Sequence, residues 1–121
     1  KDISIIACGS MVQICTEVLP LLQENKINPF LINARFVKPL DYARLEELEP
    51  HLKKIFVVEE NTFIGGLGNT IAGYLSNRDS SIKVHTIGLP DKFIPHGSRN
   101  ILLNVVGLDT KSIADKIIKL L

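Results

Sequence analysis

Short apolar runs alternate with helix-length amphipathic stretches over roughly the first 90 residues, and this alternation leaves few architectures open. Ile3–Cys8 is rich in β-branched residues and reads as a buried strand. Pro29–Asn33, Ile55–Glu59 and Lys83–Gly88 supply a second, third and fourth. In the third, the unbroken apolar run Ile55 to Val58 predicts burial on both faces. Between the first two strands Gly9 makes a turn, Ser10 serves as an N-cap, and a helix runs to about Asn25. Its inner stripe is Met11, Cys15, Val18 and Leu22, and Pro20 should kink it or split off its last turn. Strands joined through helices in this way give an α/β domain with a mainly parallel sheet covered by helices.

The remaining elements follow the same logic. Pro39 biases Lys38 away from helix, so Val37–Leu40 is extended, and Asp41 then caps a second helix with Leu45 and Leu48 inward and Pro50 at its end. Gly65-Gly66-Leu67-Gly68 opens a third helix, with Ile71, Tyr74 and Leu75 facing the core. After Gly88, Ser98 caps a helix that Gly107 stops. Asp109 or Thr110 caps the last helix, where Ile113, Ile117 and Leu120 line up.

At 121 residues with 45% hydrophobic content, residues 1–121 fit a single domain that needs no metal or disulfide to hold its core. Charge is balanced, 14 basic against 13 acidic residues, with no basic stripe, which argues against nucleic acid as a partner. No apolar run approaches the ~20 residues of a membrane span. Cys8 and Cys15 match no zinc or redox spacing and read as free thiols, which suits a reducing, cytoplasmic setting. The opening Lys1-Asp2, without Met, suggests a piece of a longer protein.

Residues able to carry chemistry cluster after the strands, where α/β folds meet ligands and partners. Gly65, Gly66 and Gly68 open a helix whose free N–H groups favour anions, yet glycines there also permit tight helix–strand packing. No Lys-Ser or Lys-Thr follows Gly68, so this is not a Walker loop. Ser10 opens a second helix on the same edge. Glu59 and Glu60 are adjacent on a strand and point to opposite faces, so they cannot act as an acid/base pair. A pair between Arg35 and one of them would tie two loops together. His51, His85 and His96 lack metal-ligand spacing; His96, beside Gly97 in a loop, is the best placed for function.

Four tracts also carry a resemblance in the right order: Arg35–Asp41, Val58-Glu59-Glu60 with Gly65-Gly66-x-Gly68, Gly88–Gly97, and Gly107-Leu108-Asp109. Together they resemble the C-terminal domain of transketolase-like thiamine diphosphate enzymes over nearly the whole chain. The resemblance implies a three-layer domain whose mixed, mostly parallel sheet has about five strands, one antiparallel, the missing one lying after Gly88. It implies a dimeric parent of three domains, in which this domain packs on the middle domain. Leu89–Gly97 followed by Gly107-Leu108-Asp109 is most similar to the branch that joins pyruvate, with loss of carbon dioxide, to glyceraldehyde 3-phosphate for isoprenoid precursor synthesis. Thiamine diphosphate and Mg belong to the other domains: this chain has no G-D-G motif and nothing that matches the cofactor-activating glutamate. The chain alone is therefore expected to have no catalytic, cofactor or metal residues. Ser10, Arg35, Glu59, Glu60, Gly65, Gly66, Gly68 and His96 stand as candidates for an interface or an anion site.

Overall fold

The structure, a computed structural model, describes residues 3–34, 42–62, 66–89, 103 and 107–121. Among these residues four strands form one sheet: β1 (Ile3–Ala7), β2 (Phe30–Asn33), β3 (Lys54–Thr62) and β4 (Lys83–Leu89). They lie in the order β2-β1-β3-β4, and every pairing is parallel. The helices are α1 (Met11–Glu24), α2 (Tyr42–Leu48), α3 (Leu67–Asn77) and α4 (Thr110–Lys119), with a 3-10 turn at Glu49–His51. The expected fifth, antiparallel strand falls on residues outside those described. So do the extended Val37–Leu40, the Asp41 and Ser98 caps, and Arg35, Gly65 and His96.

Side-chain alternation along the strands builds two cores, one on each face of the sheet. On one face Ile5, Ala7, Phe56, Val58 and Ile87 meet α1 and α4 through Met11, Cys15, Val18, Leu22, Ile113 and Ile117. On the other, Ile6, Ile55 and Val57 meet α2 and α3 through Leu45, Leu48, Leu67, Ile71 and Leu75. The domain is thus a three-layer sandwich, as expected, and Ile55 to Val58 are buried on both faces. Each large side chain buried there stabilises by ~1.5–3 kcal/mol.

Several local expectations change. Ser10 does not cap α1 with its side chain; it is itself helical in conformation and exposed. Gly9, at φ +61°, makes the expected turn, and its carbonyl accepts the Val12 N–H at 3.2 Å. Pro20 neither splits α1 nor ends it, since the helix continues to Glu24. It lies on the exposed side, where water can satisfy the Thr16 carbonyl that Pro20 cannot serve. Leu120 is 37% exposed and lies past the end of α4, and Tyr74 is only half-buried. Asp109, rather than Thr110, caps α4, its carboxylate accepting the Ser112 N–H at 3.3 Å. Thr110 instead donates to Glu17, joining α4 to α1.

Candidate functional site

β1 sends its chain to α1 on one face, and β3 sends its chain to α3 on the other. The two connections diverge at the C-terminal edge of the sheet between adjacent parallel strands, the switch point where doubly wound folds bind ligands. Cys8, Gly9, Ser10, Glu59, Glu60, Gly66 and Gly68 all lie along this edge. The structure therefore gathers those expected residues that it describes.

Glu59 is the buried charged residue of the described core, 1% exposed. One carboxylate oxygen, Oε2, accepts the Gly68 N–H at 3.3 Å, so Glu59 reaches from β3 to the N-terminus of α3. Its other oxygen, Oε1, is buried and has no hydrogen-bond partner among the described residues. Burial pushes the Glu59 carboxyl above the ordinary glutamate range, opposed by the Gly68 and Leu67 N–H groups. Glu60, by contrast, is only half-buried, as alternation along the strand requires.

The glycines at this helix start have distinct jobs. Gly66 is the N-cap residue in an extended conformation, and its carbonyl accepts both the N–H and the hydroxyl of Thr70. Gly68 lies directly against β4: a Cβ there would sit 2.0 Å from Thr86 Oγ1 and 2.9 Å from Thr86 Cβ. Tight packing thus requires a glycine at 68. The carboxylate that the helix N-terminus attracts is already supplied by the chain itself.

Cys15 is fully buried, and desolvation pushes its thiol up to about 12; Cys8 is half-buried on the α3 side of the sheet. His85 stacks on Phe56 with ring centroids 5.2 Å apart, and its buried Nε2 has no hydrogen-bond partner among the described residues. Burial, with Lys54 and Lys83 nearby, lowers its pKa below the ordinary imidazole value.

Sequence reasoning missed a second cluster at the opposite edge. Tyr74 donates to Glu46, Arg78 lies 5.5 Å from the centre of the Tyr74 ring, and Tyr42 packs on Tyr74 at 4.3 Å between centroids. Arg78 also meets Glu46 and Glu49, each at 3.4 Å. A cavity of about 530 Å³ adjoins this network, lined by Glu49, Leu52, Arg78, Asp79 and Ile82 among others. The i, i+4 spacing of Tyr74 and Arg78 was the available signal; its partners on α2 come from tertiary packing.

Among the described residues no three His, Cys, Asp or Glu side chains converge to hold an ion, and the buried Glu59 is committed to Gly68. No helix among them is long and apolar enough to cross a membrane.

A three-layer parallel domain with this edge defines a class, and residues 1–113 match the family model "Transketolase, C-terminal domain". The chain belongs to that family. It is 41% identical over 119 residues to 1-deoxy-D-xylulose-5-phosphate synthase of Clostridium tetani, which covers 98% of this chain but 19% of the relative. To the enzyme of the same name from Dictyoglomus turgidum it is 43% identical over 121 residues, all of this chain and 20% of the relative. The chain thus spans about one fifth of the length of these relatives. Among solved structures, a split-gene transketolase described as an inactive beta4 tetramer superposes with TM-score 0.89 at 28% identity, over 98% of this chain and 39% of that one. Transketolase from Campylobacter jejuni superposes with TM-score 0.64 at 15% identity, over 98% and 17%, a likeness of fold alone.

Proposed function

We propose that this chain is the C-terminal structural and assembly domain of a 1-deoxy-D-xylulose-5-phosphate synthase. The parent enzyme condenses pyruvate with glyceraldehyde 3-phosphate, with decarboxylation, for isoprenoid precursor and thiamine biosynthesis. It works in the cytoplasm as a homodimer with thiamine diphosphate and Mg, which its middle and N-terminal domains hold. One observation carries this reading: near-complete matches at about 40% identity to relatives of that name, each of which is some five times longer. The edge bearing Ser10, Glu60, Gly66 and Gly68 is assigned to contact with the rest of the enzyme. The rival reading, a free-standing anion-binding module, is weakened because Glu59 already occupies the α3 N-terminus.

The test is a chimera in which this chain replaces the matching C-terminal fifth of the Clostridium tetani relative. A folded, dimeric chimera that makes 1-deoxyxylulose 5-phosphate supports the proposal. A folded chimera without that activity contradicts it. The isolated chain should show no calorimetric binding of thiamine diphosphate with Mg and no turnover.

A further inference from the structure

We propose that Glu59 is a proton-binding site at the base of α3, so that the seating of this helix on the sheet is linked to uptake of one proton. Three geometric facts support it. The side chain is 1% exposed, so water does not solvate its charge. Its Oε2 is held by the Gly68 N–H, while Oε1 has no hydrogen-bond partner among the described residues. No positive side chain among the described residues is hydrogen-bonded or ion-paired to it.

Among the described residues, no charged side chain of a neighbouring element meets the Glu59 carboxyl. From α3 only the N–H groups of Leu67 and Gly68 meet it, and that helix carries no charged residue between Leu67 and Asn77. From β4 the neighbouring side chain on this face is Thr86, which packs on Gly68 and does not titrate. From β1 the titratable group on this face is the half-buried Cys8 thiol. From α2 the inward residues are Leu45 and Leu48; Arg44, Glu46 and Glu47 are exposed, and Glu49 pairs with Arg78.

As a carboxylate, Glu59 binds the helix N–H groups with its full charge but leaves Oε1 buried and unpaired. Protonation moves one proton from solvent to the carboxyl, removes the buried charge, and leaves an oxygen to accept from Gly68. The α3 start therefore carries a different charge in the two forms, on the same edge that bears Gly66 and Ser10. The rival arrangement is a buried ion pair with the guanidinium of Arg35, which would favour the carboxylate.

The experiment is a carboxyl-carbon NMR titration of the folded, isotope-labelled chain from acid to neutral pH, read with the amide signals of Leu67 and Gly68. The proposal predicts that Glu59 titrates above the ordinary glutamate range and that both amides shift with the same midpoint. A midpoint at or below the ordinary range, or amides that do not follow it, would overturn the proposal. Glu59→Gln, if it folds, should abolish the shared transition; amides that still titrate in that variant would also overturn it. The main reading needs no variant, so poor folding of Glu59→Gln leaves the test intact.

Discussion

Gly68 shows how a single missing methyl group fixes a helix on a sheet. Because an added Cβ would lie 2.0 Å from Thr86 Oγ1, Gly68→Ala should destabilise by ~1–3 kcal/mol in urea unfolding, despite the better helix propensity of alanine. Thr86→Ala in the same chain should recover much of that loss, a coupling that a double-mutant cycle reads directly. Two titrations act on stability with opposite sign. Burial raises the Glu59 carboxyl above its ordinary value of 4.5, so the folded state holds the proton more tightly than the unfolded one. Its contribution is greatest below the unfolded value and is lost as pH rises through the folded one. His85 is lowered from 6.5, so its contribution is present above that value and is lost as pH falls below it. Melting curves from pH 4 to 8 for Glu59→Gln and His85→Phe should separate the two, each variant flattening its own part of the profile.

At the scale of elements, the strands and inner helix stripes were readable because burial imposes a period of 2 or 3.6 on residue choice. Met11, Cys15, Val18 and Leu22 were all assigned to the core, and all four are fully buried. What the pattern could not show were the details that tertiary context decides. Ser10 has the right chemistry for a cap, but Gly9 bends the chain so that Ser10 is already helical. The ends of α1 and α3 use Lys26 and Asp79 at positive φ, where no glycine announces the turn. In both cases the next residue's N–H reaches back to a helix carbonyl, Ile27 to Leu22 and Ser80 to Leu75. Pro20 does not split off the last turn of α1, which absorbs it at the exposed face. Restoring the missing N–H by Pro20→Ala should therefore stabilise the chain, by up to ~3 kcal/mol in urea unfolding. Truncation within the α1–α4 core, Ile117→Ala, should cost ~2–5 kcal/mol by the same measure.

For the whole molecule, the parallel sheet covered by helices is legible from element order, as is the opening of the α1 and α3 starts on one sheet edge, whereas the three-layer family fold is legible only through the resemblance. The role of Glu59 was half legible. Adjacent glutamates on a strand must diverge, but which one turns inward depends on the register of β3 against α3. The Tyr74–Arg78 network was not legible, because its partners Glu46 and Glu49 lie about 30 residues away along the chain. Thiol chemistry offers a check on the packing of the whole domain. Cys15 should resist alkylation until the chain unfolds, whereas half-buried Cys8 should react first.

The most direct test of the central claim is made on the native gene product. An antibody to this domain should capture it from the cells that make it, and the captured protein should be sized and assayed with pyruvate and glyceraldehyde 3-phosphate. The account predicts a polypeptide several times larger than 13.4 kDa that forms 1-deoxyxylulose 5-phosphate. A product of 13.4 kDa, or a longer one without that activity, would contradict it.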